Sequence, residues 1–172
     1  MSENKDSQIL IRDARLEELD NVARLLRSSF QQYRDSLPPG AWPYYLEDII
    51  DVRGRWDDSQ LIVAEVNGRL VGTITLYLKS NGSEGGWPEG WAGIRLLGVD
   101  PGYRSRGIGR ALMDECIKRC KEKGIRTIGL RTTEMMDVSK KMYEQMGFIP
   151  VPEFDHHPRP DITVLAYKLD LV

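Results

Sequence analysis

The sequence predicts an α/β protein, a three-layer α/β/α sandwich around a mixed, mostly antiparallel central sheet. Apolar runs with strand character are interspersed with amphipathic helical segments along the chain. Asn67-Gly68, between two apolar runs, indicates a tight antiparallel hairpin. The segments 91–99, 107–123 and 125–130 read as a central strand-helix-strand unit. Hairpins placed around such a unit produce a mixed sheet with helices packed on it.

The first half of the chain is expected to contain a strand, two helices and the hairpin. The predicted elements are strand 8–12, a helix from 13 to about 30, helix 44–52, and strands 61–66 and 70–78. Asp13 is placed to cap the first helix, which carries an apolar stripe. The break Pro38-Pro39-Gly40 ends this helical unit.

The second half is expected to complete the sheet and to add two helices. The predicted elements are strand 91–99, helix 107–123, strand 125–130, helix 135–146, and strands 148–151 and 162–169. Gly124 and Gly147 are placed to terminate the two helices. The glycine-rich run 81–90 is interpreted as a surface loop, so residues 1–172 form a single domain.

Composition excludes several classes of function. The chain has 24 basic and 26 acidic residues, a net charge of −2, which gives no overall attraction to nucleic acid or to a membrane surface. No apolar run approaches the roughly 18 residues of a membrane span, and the polar start favours a cytoplasmic location. Cys116 and Cys120 are expected to pack as small apolar residues. Neither they nor Asp155-His156-His157 indicate a metal site.

The loop Arg104-Ser105-Arg106-Gly107-Ile108-Gly109 follows a strand and opens a helix. The free N–H groups and the dipole at a helix start attract anions. Two glycines allow the backbone to approach a phosphate closely. Three arginines would be unfavourable near a helix N-terminus without an anion between them and the dipole; they are Arg104, Arg106 and Arg110. A tight turn with solvated arginines is the alternative interpretation, whereas the nucleotide-binding glycine patterns are absent.

These residues resemble the GCN5-related N-acetyltransferase (GNAT) family, whose signature [Q/R]-x-x-G-x-[G/A] matches Arg104 to Gly109 in full. The segment from Met142 to Phe148 is similar to a second family signature. The resemblance implies the acyl-CoA N-acyltransferase fold with acetyl-CoA as cosubstrate. It implies that the backbone of Leu97, Gly98 and Val99 pairs with the pantetheine arm. It also implies a pyrophosphate cradle made of Arg104, Ser105, Arg106, Gly107, Ile108, Gly109 and Arg110.

The resemblance further implies direct attack of a primary amine on the thioester, which needs a base and an acid. Tyr143 matches the family's tyrosine that protonates the thiolate of coenzyme A. The family often carries a glutamate base where this chain has Gly93, and an asparagine where it has Met136. We therefore assign the base to Glu134, which follows a strand end. Four alternatives stay open, namely Glu84, Glu89, His156 and His157.

The acceptor itself is not identified by the sequence. Aromatic residues flank the Pro-Pro-Gly break, in a region that helps line the acceptor site of similar proteins; they are Tyr33, Trp42, Tyr44 and Tyr45. They either form a cage for a cationic amine or pack the short helices onto the sheet. A non-catalytic acyl-CoA sensor is the alternative function, favoured by Gly93. The apolar final strand suggests pairing across a homodimer.

Overall fold

A computed structural model of the chain describes residues 8–79 and 86–171. The strands in these residues are β1 (Leu10–Asp13), β2 (Gln60–Val66), β3 (Arg69–Tyr77), β4 (Ala92–Val99), β5 (Thr127–Thr133), β6 (Ile149–Pro150), β7 (His156–Arg159) and β8 (Ile162–Asp170). The α-helices are α1 (Leu19–Phe30), α2 (Ala41–Ile50), α3 (Val52–Arg55), α4 (Ile108–Glu122) and α5 (Asp137–Gln145). The predicted elements are all present, with shifts at their ends. The predicted cap of the first helix is wrong, because Asp13 belongs to β1 and α1 begins at Leu19.

The strands form one mixed sheet in the order β1-β2-β3-β4-β5-β8-β6, and β7 also pairs with β8. The β4–β5 pair is parallel, because α4 crosses over between these two strands. The other pairs in the described residues are antiparallel. The expectation of a mixed, mostly antiparallel sheet is therefore confirmed.

Two apolar cores lie on opposite faces of the sheet. On one face Leu26 of α1 and Ile49 of α2 pack with Val63 of β2. On the other face Leu112 of α4 and Tyr143 of α5 pack with strand residues such as Leu130. Helices thus cover both faces, and the three-layer α/β/α sandwich is confirmed.

Two differences from the predicted elements have simple physical reasons. Helix α2 begins at Ala41 rather than at 44, because a proline in the first helical turn removes an N–H that has no intrahelical acceptor; Pro43 occupies that turn. Strand β7 is not among the predicted strands, and it contains Pro158. It pairs with β8 along one side, and proline is tolerated in strands at a sheet edge.

Both edges of β8 are paired within the chain over at least part of their length. This strand pairs with β5 along one side and with β6 and β7 along short stretches of the other. Pairing of this strand across a homodimer stays a prediction. Separately, no helix in residues 8–79 and 86–171 combines the length and apolar character needed to cross a membrane.

Candidate active site

A cleft opens in the sheet where β4 and β5 separate. The two strands pair only from Ala92–Ile94 to Ile128–Leu130. Beyond this point β4 continues beside β3, and β5 continues beside β8. The facing edges of 95–99 and 131–133 therefore turn backbone polar groups toward the cleft rather than toward each other, which suits an extended ligand.

A β-bulge in β4 lies at the opening of this cleft. Thr73 pairs with Gly98 and Thr75 pairs with Arg95, so two residues of β4, Leu96 and Leu97, oppose one residue of β3. Leu96 has a φ of 55°, in the left-handed region that leucine rarely adopts. Bulges of this kind redirect the strand and its amides, and strained backbone is concentrated at functional sites.

The cleft continues into a cavity of about 1090 Å³. Leu97, Gly98 and Val99 line it, together with the start of α4 and Tyr143. The cavity is also lined by Tyr33, Tyr45, Trp87, Arg131 and Phe154, with Glu153 and His156. The cavity therefore connects the predicted cofactor residues with the predicted acceptor region, in keeping with a site for two substrates.

The start of α4 has the geometry of an anion cradle. Gly107 precedes the helix with a φ of 79°, and a Cβ at this position would have no atom within 4 Å. The helix ladder begins with the Ala111 N–H donating to the Gly107 carbonyl over 3.0 Å. The amides of Ile108, Gly109 and Arg110 precede that bond and have no intrahelical acceptor. Open space beside exposed amides fits a phosphate.

The arginine side chains of the cradle contact the protein instead of projecting freely. Arg104 donates to the Ser29 carbonyl and to Gln32 Oε1, each over 3.0 Å. Arg106 lies over the ring of Tyr103, 4.9 Å from its centroid, and it does not line the cavity. Arg110 donates to Asp114 Oδ1 over 3.2 Å. The amides at the start of α4 are thus the part of the loop that faces open space, and Arg104 connects the loop to α1.

Tyr143 lies on α5 where the helix faces the cavity, with 6% of its surface exposed. Burial raises the pKa of its phenol above the ordinary value of 10, and a hydrogen bond with the Ser139 side chain lowers it in part. The phenol therefore remains protonated at neutral pH. A buried, protonated hydroxyl group at the cavity wall can donate a proton to a ligand.

Trp87 occupies the wall of the cavity at the point where β4 and β5 part. Its indole lies against the paired residues Gly93 and Gly129, and 8% of its surface is exposed. A Cβ on Gly93 would be 3.2 Å from Cδ1 and Nε1 of the indole. The side-chain space beside Gly93, where the resemblance led us to expect a glutamate base, is therefore filled by an aromatic ring.

The candidate bases are distributed unevenly around the cavity. Glu134 is exposed in the turn after β5 and does not line the cavity, so the structure does not bring the assigned base to the cleft. His156 lines the cavity, whereas His157 faces Thr163 Oγ1 at 3.3 Å. Glu89 is exposed outside the cavity lining, and Glu84 lies outside the described residues.

The family of the chain follows from its match to a family model. The model of the acetyltransferase (GNAT) family matches residues 20–148, which run from α1 to Phe148 just after α5 and include β4, β5 and the cradle. The chain belongs to the GNAT acetyltransferase family. Its acyl donor is accordingly acetyl-CoA, and the cleft beside β4 is the place in the fold that suits this ligand.

Solved GNAT structures share the fold at low sequence identity. A GNAT acetyltransferase from Staphylococcus aureus Mu50 is 22% identical, with a TM-score of 0.73 over 96% of this chain and 100% of its own. The PaiA N-acetyltransferase from Thermoplasma acidophilum, solved with coenzyme A, is 20% identical, with a TM-score of 0.73 over 94% and 99%. The ribosomal-protein-S18-alanine N-acetyltransferase from Escherichia coli is 15% identical, with a TM-score of 0.65 over 95% and 94%.

Several residues of this GNAT site were not predicted from the sequence. Arg131 of β5 contacts Trp87, which precedes β4, and its guanidinium lies 4.1 Å from the indole centroid. Thr132 and Thr133 line the cavity with buried hydroxyl groups that have no hydrogen-bond partner among the described residues. The sequence feature that could have indicated these two residues is a pair of polar residues at the end of an apolar strand.

Proposed function

We propose that the chain is an N-acetyltransferase that transfers the acetyl group of acetyl-CoA to a primary amine by direct attack in a ternary complex. One observation carries the proposal: a single cavity joins the amides at the start of α4, the free edge of β4 and the buried phenol of Tyr143. Acetyl-CoA supplies an activated thioester. The protein must bind it, stabilise the developing oxyanion and move protons.

The residues divide these roles by position. The amides of Gly107 to Arg110 hold the pyrophosphate at the positive end of α4. The backbone of Leu97 to Val99 pairs with the pantetheine arm as an added strand would. Tyr143 protonates the departing thiolate, since its phenol is protonated and lies at the cavity wall.

The base is proposed on the wall of the cavity. His156 lines the cavity, and an imidazole nitrogen can take the proton of an ammonium group directly or through water. His157→Ala is the matched control, because this neighbour does not line the cavity. His156→Ala should lower kcat/KM about 100-fold, as expected for the loss of a general base, whereas His157→Ala should change it little.

Binding of the cosubstrate is tested by calorimetric titration of acetyl-CoA into wild type and Gly107→Glu. Gly124→Glu is a matched control, because Gly124 also has a positive φ, 71°, and open space around a Cβ, but lies at the other end of α4. Saturable binding in wild type and Gly124→Glu, lost in Gly107→Glu, supports the cradle. Binding that survives in Gly107→Glu contradicts it.

A non-catalytic acyl-CoA sensor is the second candidate, favoured by the indole at the position of the family's glutamate. Both functions require acetyl-CoA binding, so turnover distinguishes them. Release of free coenzyme A is measured with a panel of small amines, polyamines and peptides that carry a free N-terminus. Amine-dependent release establishes the enzyme. Binding without release across the panel, with no effect of His156→Ala, favours the sensor.

A further inference from the structure

We propose that Trp87 closes the inner end of the cleft and restricts the transferred acyl group to short chains. The inference rests on the proposed function, because it concerns the acyl donor bound in the same cleft. It identifies the donor substrates as short-chain acyl-CoA thioesters and names the side chain that excludes longer ones.

The two strands lack side chains at the point where the indole lies. Gly93 of β4 and Gly129 of β5 are register partners, one position before the last pair, Ile94 and Leu130. A Cβ on Gly129 would lie 2.6 Å from Cδ2 and Cε2 of Trp87, a distance that real Cβ atoms do not show. The glycine pair thus forms a slot, and the indole fills it.

Ring contacts hold the indole in this slot. Trp91 stacks on Trp87 with centroids 5.7 Å apart and an interplanar angle of 21°. Phe154 meets the indole edge to face at 5.6 Å. The Arg131 guanidinium lies 4.1 Å from the ring centroid. Aromatic and cation–π contacts of this kind restrain a side chain in one orientation. Trp87 therefore forms a rigid part of the cavity lining.

The direction of the ligand brings the acyl group to this wall. Gly107, Val99, Leu97 and Ile94 all line the cavity, so a coenzyme anchored by its pyrophosphate at Gly107 would extend its arm along β4 from Val99 toward Ile94. Five strand residues span roughly 16 Å, and the thioester is at the far end of the arm. The acyl substituent therefore points toward the place where β4 and β5 meet. An acetyl group ends before the indole, whereas a longer chain needs the volume that the indole fills.

The test uses acetyl-CoA, butyryl-CoA and hexanoyl-CoA as probes, titrated by calorimetry into wild type, Trp87→Ala and Trp91→Ala. Trp91 does not line the cavity but stacks on Trp87, so Trp91→Ala tests whether the ring contact holds the wall. We expect wild type to bind hexanoyl-CoA at least 10-fold more weakly than acetyl-CoA, and Trp91→Ala to reduce this difference less than Trp87→Ala does. Trp87→Ala should reduce this difference at least 10-fold.

Smaller truncations keep the test decisive if Trp87→Ala unfolds. Trp87→Phe and Trp87→Leu are measured in parallel, with circular dichroism to verify the fold, and tolerance of longer chains should increase as the side chain shrinks. An unchanged ratio of hexanoyl-CoA to acetyl-CoA affinity in folded Trp87 variants overturns the inference while the proposed function stands. Failure of wild type to bind any of the three thioesters overturns both.

Discussion

The indole of Trp87 rests on the backbone of Gly129, so closely that a methyl group on Gly129 would lie 2.6 Å from two of its ring carbons. Gly129 is buried in β5, next to the cavity, and pairs with Gly93 across the strands. The contact joins the segment before β4 to the middle of the sheet. Because glycine is the residue that leaves this space, substitutions at either position act through Trp87.

Gly129→Ala should therefore destabilise the protein by displacing the indole. Overpacking of a buried site raises the free energy of the folded state by about 1–3 kcal/mol. Urea unfolding of Gly129→Ala, Trp87→Ala and the double variant measures the coupling. In the Trp87→Ala background the added methyl group should have little effect. Equal losses in both backgrounds would show that the indole is not the group displaced.

Gly93→Glu should fail to install the glutamate that related GNAT proteins carry in β4. A Cβ at this position meets Cδ1 and Nε1 of the indole at 3.2 Å, so a side chain at 93 must displace Trp87 to enter the cleft. We expect no increase in amine-dependent release of coenzyme A and a lower melting temperature. The double variant with Gly93→Glu and Trp87→Ala should recover part of the melting temperature lost in Gly93→Glu. An increase in turnover in the single variant would contradict this view.

Arg104→Ala should loosen the end of α1 more than it weakens the cradle. The guanidinium bonds the Ser29 carbonyl and the Gln32 side chain, and hydrogen bonds to a charged group stabilise a protein by about 1.5–3 kcal/mol. Hydrogen exchange of the amides at 30–36 should become faster, as measured by mass spectrometry. Arg106→Ala is the control, since this guanidinium lies over Tyr103 instead. Equal exchange in both variants would exclude the connection to α1.

The cradle could be predicted from the sequence because it is local. Gly107 and Gly109 determine the turn and the helix start within a few residues. The position of Trp87 depends on the register between β4 and β5, two strands separated by a whole helix. No spacing pattern within one segment reports that register. The glycine at 93 was visible in the sequence, but the ring that fills the space was not.

The assignment of the base to Glu134 failed for a similar reason, because it depends on strand pairing that the local sequence does not determine. Glu134 follows a strand, and polar residues at strand ends often enter a site. Strand β5 extends to Thr133, three residues beyond the expected end, so Thr132 and Thr133 line the cavity and Glu134 falls in the exposed turn. Strand ends are poorly determined by local sequence, since pairing with β8 decides where β5 stops.

Glu18 should make the stability of the fold sensitive to acid. Hydrogen bonds from Arg12, at 2.7 and 3.0 Å, lower the pKa of this carboxyl from 4.5 to about 2. The unfolded chain binds the proton more tightly, so the stabilisation is complete above pH 4.5 and is lost as the pH falls toward 2. Urea unfolding between pH 7 and pH 3 should show a smaller decline for Glu18→Gln than for wild type.

The exposed neighbour Glu17 provides the control for that measurement. Glu17→Gln should retain the wild-type decline in unfolding free energy with acid, because its side chain is exposed to solvent. Glu18→Gln should be less stable at pH 7 by about 2 kcal/mol, the scale of a hydrogen-bonded charge pair. Parallel pH curves for wild type and Glu18→Gln would show that another group causes the acid sensitivity.

Tyr143→Phe should reduce turnover about 100-fold, the lower range for loss of a general acid, while acetyl-CoA affinity changes little. Burial raises the pKa of the phenol above 10, so wild-type kcat should show no alkaline decline from this group below pH 10. Tyr167→Phe is the control, because it removes another buried phenol, bonded to Glu144 and outside the cavity lining. Equal turnover in the two variants would remove Tyr143 from the reaction and assign it to packing alone.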